Sequence, residues 1–128
     1  MLEFISSPAV KAANLPFSAA TRVGSVLYLS GCLGNVPGKM ELVPGGMEAE
    51  ARQTMENIKS VLTENGLTFD HVFKATVMLA DMKKWADFNK VYVTYFHPDR
   101  MPARSAFGAS ALALGAQVEV EVMAYCGK

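Results

Sequence analysis

The sequence carries no surplus charge of either sign. Twelve Lys and Arg side chains balance twelve Asp and Glu, and no basic run exceeds Lys83-Lys84. Proteins that track nucleic acid gain affinity by releasing counterions from phosphates, which takes a basic stripe. Nucleic acid is therefore not an expected partner. Long apolar runs are missing too. No stretch approaches the roughly 20 apolar residues of a membrane span, so no membrane partner is expected. Histidine is scarce. His71 and His97 are the only two, and neither has a partner at metal-ligand spacing. No phosphate-binding loop and no dinucleotide fingerprint occurs. The expectation is a protein without metal or cofactor. The two cysteines, Cys32 and Cys126, lie far apart and outside any Cys-x-x-Cys pattern. The N-terminus shows neither a basic n-region nor a long apolar run. The thiols therefore read as reduced, and the expected location is cytoplasmic.

The 128 residues fit one domain, spanning 1–128. Apolar residues make up 51%, slightly more than a lone small domain needs. The excess points to apolar surface covered by a partner chain.

Residues 1–16 read as a short strand or arm followed by a loop. Gly24-Ser25 lies between two β-rich runs and signals a hairpin. The run Val26-Leu27-Tyr28-Leu29-Ser30 reads as continuously apolar, which predicts a central strand covered on both faces. The glycines and prolines of 31–46 mark a turn-rich loop. Met47, Ala51, Met55, Ile58 and Leu62 form one helical stripe, and Asn65-Gly66 supplies its left-handed stop. Val72–Leu79 alternates as a strand, with Phe73, Ala75, Val77 and Leu79 on one face. Asp81 is the expected cap of a second helix. Trp85, Phe88, Val91, Tyr92 and Tyr95 are its expected buried side, and Pro98 its end. Residues 102–107 form a short strand candidate, and 118–126 give the clearest strand pattern, with Val118, Val120, Val122 and Ala124 inward.

Two helices cannot cover both faces of a five- or six-stranded sheet. The expected fold is therefore α+β, a two-layer sandwich with a mixed sheet and two helices on one face. The other face would carry Lys74, Thr76, Met78, Glu119, Glu121, Met123 and Tyr125. That mixture fits burial in an oligomer better than a solvated surface.

Chemistry concentrates in Pro102-Ala103-Arg104-Ser105 and in Glu119. The guanidinium of Arg104 presents a planar fork that matches a carboxylate at two points. On the residues alone, two readings stand. Arg104 pairs with Glu119 or Glu121 as a structural bridge, or it faces a cleft. Ser30-Gly31 ends a buried strand, where glycine permits close approach to the backbone.

Leu15-Pro16-Phe17, Tyr28-Leu29-Ser30-Gly31, residues 50–57, Lys74-Ala75-Thr76-Val77, Pro102-Ala103-Arg104-Ser105 and Val118-Glu119-Val120-Glu121 occur in an order and spacing that resembles the RidA (YjgF) family of reactive intermediate deaminases. The resemblance implies a chorismate-mutase-like fold, a homotrimer with sheets packed as a central barrel, and three clefts between subunits. It implies hydrolysis of 2-imino and enamine acids, such as 2-aminoacrylate, to 2-keto acids and ammonia. Arg104 then matches the carboxylate-binding arginine and Glu119 the acid that positions water. Phe17, Ser30, Gly31, Tyr92 and Ala106 match positions lining the cleft. Phe17 replaces a frequent tyrosine, Cys32 a glutamine and Ala106 a cysteine. Leu112-Ala113 replaces a usual Leu-Pro, and Tyr92 falls where an asparagine often sits. These departures bear on substrate range, and their alternative outcome is a trimer that binds small carboxylates without turnover.

Overall fold

The computed structural model describes residues 1–127. It is a mixed α+β structure with one six-stranded sheet and three helices. The strands are β1 (Leu2–Ile5), β2 (Ala20–Val23), β3 (Val26–Leu29), β4 (Val72–Leu79), β5 (Ala103–Gly108) and β6 (Val118–Tyr125); the helices are α1 (Pro8–Ala12), α2 (Gly46–Glu64) and α3 (Trp85–Tyr92). The sheet order is β1-β2-β3-β6-β4-β5. Only β4 and β5 run parallel, and α3 lies in the crossover between them. Parallel neighbours need such a connection, whereas β2 and β3 are joined by a tight hairpin at Gly24, whose φ is 59°.

The α2 stripe is buried as its spacing predicts: Met47, Ala51, Met55, Ile58 and Leu62 join one core with Phe88, Val91 and Tyr92 of α3. Val118, Val120, Val122 and Ala124 of β6 complete that core with Ala75, Val77 and Leu79 of β4. Each of the valines and leucines among them contributes roughly 1.5–3 kcal/mol on full burial. Gly66, at φ 74°, ends α2. Its N–H bonds Thr63 O and the Leu67 N–H bonds Leu62 O, the paired bonds of a left-handed helix stop.

Five expectations are corrected. The stretch after β1 is not loop alone, because Ser7 accepts a hydrogen bond from Val10 N at 3.2 Å and Pro8 opens the short helix α1. Proline suits this position, since a first-turn N–H has no helical partner. Phe73 is 43% exposed, because a bulge between Val72 and Lys74 changes the alternation and Val72 takes the inward place. Tyr28 is exposed, so β3 is covered on one face of the chain and not on both. Asp81 caps a 3-10 turn over 82–84, and α3 starts after it with Trp85 exposed. Helix α3 itself ends at Tyr92, ahead of Pro98, and passes into a 3-10 turn over 93–95.

Candidate active site

Pro102 leads directly into edge strand β5, so the backbone that carries Arg104 is held by the sheet. Arg104 lies opposite Ala75 in the β4–β5 register. Ala75 is fully buried, so the Arg104 side chain leaves the sheet on the helix-covered face. There its Nη1 donates to Asn89 Oδ1 at 2.7 Å. Its guanidinium carbon lies 4.7 Å from the Tyr92 ring centre and 5.7 Å from that of Trp85. Two aromatic faces attract the cation through their ring quadrupoles. Asn89 is four residues after Trp85 and three before Tyr92, so all three share one side of α3.

The cradle contains no carboxylate. Among the described residues, ion pairs join Arg22 to Glu3 and Arg52 to Glu48, and none reaches Arg104. The structural bridge from Arg104 to Glu119 or Glu121 is therefore not formed. Tyr92 is buried, and its hydroxyl has no hydrogen-bond partner among the described residues. Burial pushes this phenol up to about 12, with the Arg104 charge acting in the opposite direction. Arg104 lies over the ring and makes no satisfactory hydrogen bond to the hydroxyl.

Glu119 belongs to the other face. It lies opposite Met78 in the β4–β6 register, between the inward Val118 and Val120. Its carboxyl rests against Gly31, where an added β-carbon would run into Oε2. The glycine is required for that approach. Burial raises the Glu119 pKa above the usual carboxylate range, and the neighbouring Glu121 adds to the shift. Cys32 is bonded through both backbone groups to Val120, at 2.8 and 3.0 Å. Burial, and then the Glu119 charge, push its thiol up to about 12, so it is a poor nucleophile.

The expected site residues thus fall into two groups within one chain. Arg104, Tyr92 and Ala106 gather on the helix-covered face at the β5 edge, with Ala106 opposite Val77. Phe17, Ser30 and Gly31 line a cavity of about 540 Å³, and Glu119 stands behind Gly31. Ser30 Oγ donates to Ser18 O at 2.6 Å, which fixes its hydroxyl as an acceptor toward the cavity. Sequence reasoning missed Asn89 and assigned Trp85 to the core. The resemblance places the family's frequent asparagine at position 92, where this chain has Tyr92; an asparagine stands instead at 89, one helical turn earlier and bonded to Arg104, and the Trp85-Asn89-Tyr92 spacing is the signal that could have found it.

Several curated proteins and solved structures similar to this chain match it over nearly its whole length. A 2-iminobutanoate/2-iminopropanoate deaminase of Mus musculus is 41% identical over 123 residues, covering 96% of this chain and 90% of the mouse protein. The Bos taurus protein of the same name is 42% identical over 125 residues, covering 98% and 90%. The crystal structure of yeast Mmf1 matches with a TM-score of 0.90 at 34% identity, covering 99% of this chain and all of that one. The family model described as Endoribonuclease L-PSP matches residues 6–126, and with that span and these relatives the chain belongs to this family, the one of the RidA (YjgF) resemblance.

Proposed function

We propose that the protein hydrolyses 2-imino acids and their enamine tautomers to 2-keto acids and ammonia. One observation carries the reading: the half-buried guanidinium of Arg104 is oriented by a neutral amide and two rings and has no carboxylate partner among the described residues. A fixed cation without a counter-ion is suited to a substrate carboxylate. The deaminase relatives support the chemistry at about 40% identity over nearly the whole chain.

Arg104 grips the carboxylate and draws electron density from the adjacent C=N carbon. Glu119 takes a proton from water as the oxygen adds to that carbon and passes it to the imine nitrogen, giving a neutral carbinolamine. It then takes the carbinolamine hydroxyl proton and delivers it to the amino nitrogen as the C=O forms and the C–N bond breaks, leaving the 2-keto acid and ammonia. Holding the reactants together supplies the orientation. Arg104 and Glu119 leave the sheet on opposite faces, so two chains are needed to bring them onto one substrate. This supports a homotrimer of two-layer subunits, with the open sheet faces forming a central barrel and the clefts lying between neighbours. Phe4, Tyr28, Phe73, Phe107 and Tyr125 are exposed in the single chain and supply apolar surface for such an assembly. The free thiols Cys32 and Cys126 fit a cytoplasmic location. The balanced charge offers RNA no basic surface to follow, so RNA cleavage is not the reading adopted.

An amino-acid oxidase that generates imino acids in the presence of semicarbazide provides the test. The protein should suppress the trapped imine, and Arg104→Ala should not. No suppression by the wild type with any amino acid would overturn the proposal, and saturable keto-acid binding in its place would leave a carboxylate-binding trimer.

A further inference from the structure

Glu50, on α2, is 6% exposed and takes no part in the chemistry above. A carboxylate this deep needs hydrogen-bonding partners, and Gln117 serves both of its oxygens. The Gln117 backbone N–H donates to Oε1 at 2.9 Å, and its side-chain Nε2 donates to Oε2 at 3.2 Å. The amide oxygen of Gln117 accepts from Lys84 Nζ at 2.7 Å. A carboxylate can only accept and an ammonium can only donate, so one orientation of the amide satisfies both. The Gln117 carbonyl is held as well, accepting from Ala80 N at 3.0 Å just after β4. Gln117 is thus anchored to α2 and to the end of β4, and Lys84 is anchored to Gln117.

Lys84 directly precedes α3, a helix of eight residues. Phe88, Val91 and Tyr92 hold α3 to the core. Trp85 is 44% exposed and Asn89 is half-buried, so packing fixes the start of the helix less firmly than its end. Yet Trp85 and Asn89 are two of the three groups that orient the Arg104 guanidinium. We propose that Lys84 is a positioning residue for carboxylate binding: its bond to Gln117 pins the start of α3 to the sheet and so fixes Trp85 and Asn89 around Arg104. This rests on the role given to Arg104 in the deaminase reading above.

Lys84→Met keeps the stem of the side chain and removes its donor. Loss of binding that is equal in ground and transition states raises KM and leaves kcat alone. In Lys84→Met, KM and the Kd for pyruvate should rise about tenfold, with kcat held within about twofold. The fluorescence anisotropy of Trp85, the single tryptophan, should fall. Gln117→Met cuts the same link from the other side and should raise KM alike, with the double variant no worse than either single one. Should Gln117→Met fail to fold, adding Glu50→Met removes the carboxylate left without donors. A KM that rises in Lys84→Met but not on cutting the link at Gln117 would mean that Lys84 meets the substrate itself, and would overturn the tether. So would a lowered kcat at unchanged KM, the mark of a merely structural contact, or an unchanged Trp85 anisotropy. A wild type that binds pyruvate but turns over no imine would end the deaminase reading and leave the tether to be decided by Kd and anisotropy. A wild type that binds no pyruvate would end both.

Discussion

Arg104 Nη1 donates to Asn89 Oδ1 at 2.7 Å, so a neutral amide occupies the place where an aspartate would neutralise the guanidinium. The bond orients the fork and leaves its charge available. Asn89→Asp should therefore do more harm than Asn89→Ala. The alanine variant loosens the fork, whereas the aspartate competes with the substrate for the same donors. Hydrogen bonds to charged groups are worth roughly 1.5–3 kcal/mol, so KM in Asn89→Asp should rise at least about tenfold while the fold persists. Steady-state kinetics with circular dichroism as a control tests this. A KM in Asn89→Asp equal to that of the wild type would remove Arg104 from carboxylate binding.

Replacing Arg104 itself separates charge from shape. Lysine keeps the charge but loses the planar fork and the stacking on Tyr92 and Trp85. Arg104→Lys should retain a small part of kcat/KM, down about 10- to 100-fold, and Arg104→Ala should fall further. Equal activity in the two variants would show that the fork geometry contributes nothing. Because Trp85 is the single tryptophan and lies beside the guanidinium, its fluorescence should respond to keto-acid binding in wild type and not in Arg104→Ala.

The raised pKa of Glu119 gives a signed pH dependence. Burial, then Glu121, disfavours its charged form. Activity that needs the carboxylate should fall as pH drops through this raised value, earlier than an exposed glutamate would allow. For stability the direction reverses. The native state holds the proton more tightly than the unfolded chain, so the contribution is complete below the unfolded pKa and is lost as pH rises through the folded one. Glu119→Gln should thus lower turnover by about 100-fold or more while melting no lower than wild type at about pH 8, with the difference shrinking toward about pH 4. A variant clearly less stable than wild type at the higher pH would contradict the burial assigned to this carboxyl.

Gly31→Ala addresses the same carboxyl sterically. A methyl at Gly31 meets Glu119 Oε2, and the carboxyl must move away. Overpacking of this kind costs typically about 1–3 kcal/mol, so the variant should fold with a lowered Tm. Its kcat should drop with little change in keto-acid affinity, because Arg104 is untouched. Unaltered kcat would mean that Glu119 can act from another position.

The sequence made α2, β4 and β6 legible because each carries a sustained period. Met47 through Leu62 repeats every three or four residues, and Val118 through Ala124 repeats every two. Helix α1 was illegible for the opposite reason, since five residues hold too little of a period to register. Phe73 misled because a single-residue bulge reverses every inside-outside assignment before it. The two site groups were nameable by resemblance, but their separation was not. Which face carries Arg104 depends on its pairing with Ala75, and which face carries Glu119 depends on its pairing with Met78. Such non-local registers are not written in either strand alone.

That separation leads to a complementation experiment. If each cleft takes Arg104 from one subunit and Glu119 from its neighbour, neither Arg104→Ala nor Glu119→Gln trimers are active alone, yet mixed trimers contain clefts with both groups intact. In an equal mixture reassembled from unfolded chains, a given cleft receives an intact arginine from one side with a chance of one half. It receives an intact glutamate from the other side with the same chance. Head-to-tail contacts around a closed ring therefore predict recovery of roughly a quarter of wild-type activity. The unmixed variants, carried through the same unfolding and refolding, should recover none. Active sites built within one subunit would give no complementation, because every chain in the mixture lacks one of the two groups. Trimeric mass with no recovered activity would thus reject the shared cleft while leaving the assembly intact, and a monomeric mass would reject both.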